Sequence, residues 1–95
     1  MYVIVWRFTT SDPVAFERHY GPHGTWTALF ERSGDYLRTD LLRGEDGYLT
    51  LDWWTSAEAY DAFRREHADA YAEIDRACEA LTSSEEMMGS YLPVD

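Results

Sequence analysis

Asp52 and His67 are the residues of this 95-residue sequence that combine proton-acceptor chemistry with a position that turns them inward. His67 falls on an apolar stripe of Tyr60, Phe63, His67, Tyr71, Ile74, Cys78 and Leu81, spaced by three and four as one face of a helix requires. Its ring should point toward sheet or cavity, and with an unperturbed pKa near ~6.5 it can accept a proton. The plainer alternative is a core histidine bonded to a neighbour or lying at a helix break. Asp52 shares a strand face with Thr50 and Trp54 by alternation. An inward carboxylate must be paired or have its pKa raised, so Asp52 is either a base or the partner of Arg38 or Arg7.

Aromatic side chains surround these two candidates. Trp54 and Tyr60 face the space between helix and sheet, and Phe63 joins them on the stripe. They line a pocket for a flat molecule or simply fill the core. Tyr20, His23 and Trp26 flank the Gly21-Pro22 interruption and can form a pocket rim, since broken helices open where ligands enter. His19 and His23 have metal-ligand spacing, but the break between them ruins the geometry and no third ligand lies near, so no metal is expected. Cys78, beside Ile74 and Leu81, reads as a small core residue.

The elements that must position these residues follow from local signals. Residues 2–8 are β-branched and aromatic on both faces, as a strand covered on two sides should be. Ser11 or Asp12 caps a helix with Pro13 in its first turn, ending near Tyr20. Pro22 can open a second helical piece carrying Trp26, Leu29 and Phe30, and Gly34 stops it. Two strands, 36–43 and 48–54, are joined by Gly44-Glu45-Asp46-Gly47, with the register open by one residue. Thr55 and Glu58 have capping-box spacing, and one unbroken helix carries the stripe. A last strand spans 87–92. The order βαββαβ predicts a single α+β domain over 1–95. It would be a ferredoxin-like sandwich with a four-stranded antiparallel sheet and helices on one face.

That arrangement leaves the second sheet face uncovered. Val3 and Val5 alternate with Tyr2, Ile4 and Trp6, and Leu49, Leu51 and Trp53 with Tyr48, Thr50 and Trp54, so neither face is polar. A bare apolar face of several hundred Å2 marks an interface, and a homodimer packed face to face is expected. The net charge of −10 makes nucleic acid and anionic membrane poor partners. Residues 2–5 are too short and too polar-flanked for a signal peptide, no segment approaches a membrane span, and a cytoplasmic location is expected.

The run Trp54-Thr55-Ser56-Ala57-Glu58-Ala59-Tyr60, preceded by Tyr48-Leu49-Thr50-Leu51-Asp52, resembles the antibiotic biosynthesis monooxygenase family across nearly the whole chain. Tyr20-Gly21-Pro22-His23-Gly24-Thr25-Trp26 and Glu79-Ala80-Leu81-Thr82 resemble a subgroup of its small members. The resemblance implies the dimeric α+β barrel fold and, in the quinone-forming members, oxygen activation without metal or flavin. A phenol loses a proton, its anion reduces O2, and a peroxide collapses to a quinone. Trp54 and Tyr60 match the family's strand-end Trp and helix aromatic, whereas Thr50 stands where those members place Asn. Haem-degrading members carry an Asn on the first strand, where this chain has Trp6 and Arg7, so that chemistry fits less well. The expected function is therefore cofactor-independent oxidation of a small phenolic or polycyclic aromatic, with His67 or Asp52 as base. Alternatives are a cyclase or isomerase using the same pocket, or a non-catalytic dimeric binding protein. A void of at least ~300 Å3 with converging polar groups would favour a ligand site.

Overall fold

The β-branched and aromatic run at the start of the chain forms the central strand of the sheet in the computed structural model, which describes residues 1–94. This strand, β1 (Tyr2–Thr9), lies between β3 (Tyr48–Trp54) and β4 (Ser84–Tyr91). β2 (Tyr36–Arg43) pairs with the far side of β3, giving the antiparallel order β2-β3-β1-β4. The helices are α1 (Pro13–Tyr20), α2 (Thr25–Phe30), α3 (Ala57–Glu66) and α4 (Ala68–Cys78). The α+β, ferredoxin-like arrangement expected from the sequence is the one observed.

The hairpin between β2 and β3 fixes the register that the sequence left open. Gly44 donates its backbone N–H to the Gly47 carbonyl at 2.7 Å. Gly47 has φ +154°, and a Cβ there would lie 2.3 Å from the Phe8 carbonyl oxygen, so the turn requires glycine. Arg43 then faces Tyr48 and Thr39 faces Asp52, while Arg38 pairs with Trp53 instead. Neither Arg38 nor Arg7 binds Asp52: Arg38 lies on the other face, 3.4 Å from Asp40, and Arg7 is exposed.

Four local expectations shift. Ser56, not Thr55, caps α3 by accepting from the Ala59 N–H at 3.1 Å; the Thr55 hydroxyl is spent on Asp35 at 2.9 Å. α2 begins at Thr25, and Gly24 at its cap packs so closely on the His19 carbonyl that a Cβ would come within 2.5 Å. The long helix is broken at His67, which has φ −116° and ψ 28° and serves as both the end of α3 and the start of α4. β4 also begins earlier than expected, at Ser84.

One face of the sheet carries the core. Ile4, Phe8, Tyr48 and Trp54 pack with Phe16, Leu29, Phe30 and Phe63 from the helices, and Trp54 and Phe16 have no exposed surface. Edge-on and tilted ring contacts link Phe30, Tyr36, Trp54 and Phe63 at centroid separations of 5.0–5.6 Å. Such contacts add roughly 0.5–1.5 kcal/mol per pair beyond simple burial. Val5, Leu49, Leu51 and Trp53, on the opposite face, are absent from this cluster.

Candidate active site

Between the sheet and the helices lies a cavity of about 210 Å3, and every layer of the fold contributes to its wall. Trp6 and Phe8 of β1 and Trp26 and Phe30 of α2 supply flat apolar surface. Thr39 of β2 with Thr50 and Asp52 of β3 make a polar floor, the alternation of β3 placing Thr50 and Asp52 on the same face. Tyr20 of α1, Arg64 of α3, Tyr71 and Asp75 of α4, and Glu85 of β4 complete it.

Asp52 is the carboxylate set into the sheet itself. Burial raises its pKa from 3.8 to about 6, and the hydrogen bond that its Oδ1 accepts from Thr39 Oγ1 at 2.6 Å holds it from rising further. Thr39 in turn accepts from the Tyr36 hydroxyl at 2.7 Å. Burial also pushes the Tyr20 and Tyr71 hydroxyls well above the usual phenol value, so both are protonated donors at neutral pH. Glu85 is raised as well, by burial and then by the neighbouring Asp75 and Glu79 carboxylates.

Arg64 brings a positive charge to this wall. Its guanidinium lies 3.8 Å from the Tyr71 ring centroid and its Nη1 donates to the Tyr60 hydroxyl at 2.9 Å. The spacing Tyr60, Arg64, Tyr71 places the three side chains along one side of α3 and α4 despite the break between the helices. A planar cation stacked on a ring keeps four further N–H groups for other acceptors.

The structure brings only some of the sequence candidates together. Asp52, Tyr20 and Trp26 line the cavity. Trp54 and Phe63 are fully packed behind it, against Phe30 and each other. Tyr60 sits between Trp54 and Tyr2 and touches the site only through Arg64. His23 is exposed on the turn between α1 and α2. His67 packs at a tilt against Phe63, with centroids 4.9 Å apart, beside Arg32 and Arg65 in a surface depression, because the helix break turns it away from the sheet. His19 bonds Thr25 at 2.7 Å, and no metal-ligating cluster exists among the described residues.

Nine of the twelve lining residues were not among the sequence candidates: the rings of Trp6, Phe8, Phe30 and Tyr71, and the polar Thr39, Thr50, Arg64, Asp75 and Glu85. Arg64, Asp75 and Glu85 were hidden among solvated charges, although Arg64 lies four residues after Tyr60, where a helix brings side chains together. Thr39 could be found by counting: closing the Gly44–Gly47 turn with Arg43 opposite Tyr48 puts Thr39 opposite Asp52.

No family model matches the sequence, and none of the curated proteins resembles it significantly. Among solved structures, the chain is similar to SnoaB, a cofactor-independent oxygenase from Streptomyces nogalater. The similarity has a TM-score of 0.80 at 23% identity and covers 99% of this chain and 93% of that one. A mutant of the same oxygenase matches with a TM-score of 0.81, 23% identity and the same coverage. What the two proteins share at this identity is the fold.

Proposed function

We propose that the chain catalyses the cofactor-independent oxidation of a small phenolic aromatic to a quinone, with Asp52 as the proton acceptor. The observation that carries this reading is a half-buried carboxyl, raised to about 6, set in a polar floor beneath a cavity walled in part by the aromatic rings of Trp6, Phe8, Trp26 and Phe30. Its fold, shared with an oxygenase that uses no cofactor, supports the same chemistry.

The reaction needs four things of the protein, and residues at the cavity suit each. Trp6, Phe8, Trp26 and Phe30 bind a flat ring and exclude water. Asp52 takes the proton, leaving an electron-rich anion. Tyr20 and Tyr71, held protonated, and Arg64 stabilise that anion with donors already in place. The anion reduces O2 and a carbon–oxygen bond forms. The peroxide takes the proton held by Asp52 to become a hydroperoxide. Asp52 then removes the ring C–H proton as the O–O bond breaks, which leaves the new carbonyl and releases hydroxide. That second proton converts the hydroxide to water, so the phenol O–H and ring C–H hydrogens leave together as water and no external reductant is consumed.

Size restricts the substrate. At about 210 Å3 the cavity is smaller than the ~300 Å3 typical of drug-sized ligand sites, which favours one or two fused rings over a larger polycycle. The same small volume favours a non-catalytic reading, and the polar floor of Thr39, Thr50 and Asp52 argues against it. An assay of phenols and small hydroxynaphthalenes with and without O2 separates these readings. Quinone formed only in air, without flavin or metal, supports the oxidation. Product formed without oxygen means ring closure or isomerisation, and no product from the folded protein removes the catalytic role.

We further propose that two copies pack through the open sheet face. Leu37, Leu42, Met88 and Tyr91 are exposed there or along its edges. Part of its charge is already paired: Asp40 accepts from the Trp53 indole at 3.0 Å and from Arg38, whose guanidinium also covers the Trp53 ring. Arg7 and Glu86, opposite each other on β1 and β4, are exposed on the same face, so its burial requires these two opposite charges to find partners.

A further inference from the structure

Tyr36 and Thr39 are three residues apart on one strand, a separation that in a regular strand sends side chains to opposite faces. Here both point to the helix-covered face. Tyr36 packs on Phe30 and Trp54 at 5.5 and 5.3 Å, and Thr39 lines the cavity. The reason is a bulge: Tyr36 pairs with Trp54 and Arg38 with the adjacent Trp53, so Leu37 is the extra residue. Bulges re-aim side chains and recur beside active sites. This one lets the Tyr36 hydroxyl reach Thr39 Oγ1 at 2.7 Å, and Thr39 then donates to Asp52 Oδ1 at 2.6 Å. A hydroxyl owns one proton, so the chain has a direction. Tyr36 occupies a lone pair of Thr39 and commits the single Thr39 proton to Asp52.

We propose that Thr39, backed by Tyr36 across the bulge, is the positioning residue for Asp52: it fastens one carboxylate oxygen to the sheet and leaves the other as the proton acceptor. The role rests on the reading of Asp52 as the base. Oδ2 accepts no hydrogen bond among the described residues, whereas Oδ1 is held by Thr39. The far end of the chain is anchored by rings in the core, so the carboxyl plane is set by the hairpin register and not by solvent.

Other charged and titratable groups also face the cavity: Tyr20 of α1, Arg64 of α3, Tyr71 and Asp75 of α4, and Glu85 of β4. A change at Thr39 leaves all of them in place. Thr39→Val keeps the shape and removes the donor, so the bond that favours the carboxylate is lost and the Asp52 pKa rises. The expected rise is about one unit, the worth of a hydrogen bond to a charged group. Thr39→Ser restores the donor and should return the value toward wild type. Tyr36→Phe should produce a smaller rise in the same direction.

The experiment is an NMR titration of isotope-labelled aspartate carboxyl carbons in the full chain, with Asp52→Asn identifying the resonance, alongside the pH profile of kcat/KM. An upward shift in Thr39→Val that Thr39→Ser reverses, with the acidic limb of the rate profile moving in step, is the expected result. An Asp52 pKa unchanged in a folded Thr39→Val protein overturns the positioning role. A shifted pKa with an unmoved rate profile upholds the hydrogen bond and sinks Asp52 as the base, so the two failures are told apart.

Discussion

At the scale of single residues, Asp52 makes an antagonism between stability and function measurable. Its carboxyl titrates near 6 when folded and near 3.8 when free, so between those values the folded chain binds the extra proton. Stability from this group is therefore present at low pH and lost as pH rises through the window from about 3.8 to about 6. Above it, the ionised carboxylate destabilises the fold by roughly 2–3 kcal/mol, an order-of-magnitude figure from 1.36 kcal/mol per unit. Asp52→Asn should accordingly raise the melting temperature at pH 8 and leave it nearly unchanged at pH 3.5, as differential scanning calorimetry would show. The same substitution should lower kcat/KM by roughly 10²–10⁴-fold, the range for loss of a general base. In the wild type the acidic limb of the rate profile should lie near pH 6. His67 gives the contrast. Lying outside the cavity and packed at a tilt against Phe63, it should tolerate change to Ala with turnover intact and only a modest loss of stability. A His67→Ala protein that folds but loses turnover would return the imidazole to the mechanism.

At the scale of elements, the hairpin does more for the site than any helix. It sets Thr39 against Asp52 and depends on one glycine whose conformation other residues rarely adopt. Gly47→Ala combines left-handed backbone strain with a collision at the Phe8 carbonyl, and should destabilise the fold by roughly 1–3 kcal/mol. Chemical denaturation would reveal it, and a neutral result would mean that the turn can be remade around a side chain. This hairpin was also the most legible part of the sequence, because glycines at both ends of a polar turn between two apolar runs leave few alternatives. The helix break was not legible. No Pro or Gly interrupts residues 57–81, and the apolar spacing continues through His67 as though the helix did too. Backbone bonds explain why the sequence is silent: His67 N–H still bonds Phe63 and Tyr71 N–H still bonds the His67 carbonyl, both at 2.9 Å. The dislocation needs no special residue, yet it decides that Tyr71 and not His67 reaches the cavity. Asp52 was found because strand alternation survives folding unchanged; Thr39 and Arg64 required the register and the helix pairing to be read together.

At the scale of the whole molecule, charge and apolar surface pull the association of two copies in opposite directions. Each chain carries a net charge of −10, so bringing two together repels at long range. The open face, by contrast, offers Val5, Leu49, Leu51 and Trp53 at its centre and exposed Leu42 and Tyr91 toward its edges, with the Arg38–Asp40 pair and the opposite charges of Arg7 and Glu86 facing across adjacent strands. Burial of apolar area is insensitive to moderate salt, whereas repulsion between exposed charges beyond about 8–10 Å is screened at physiological ionic strength. The dimer should therefore tighten as salt is raised from low to physiological levels, the reverse of an assembly held by ion pairs. Leu51→Asp, which sets a charge in the centre of that face, should leave circular dichroism unchanged and shift the light-scattering mass to that of a single chain. Because the cavity lies on the other side of the sheet, bounded by helices of the same chain, this monomer should retain Asp52's raised pKa. If the monomer instead shows a normal Asp52, the partner is what keeps the site dry, and the cavity is completed only in the pair.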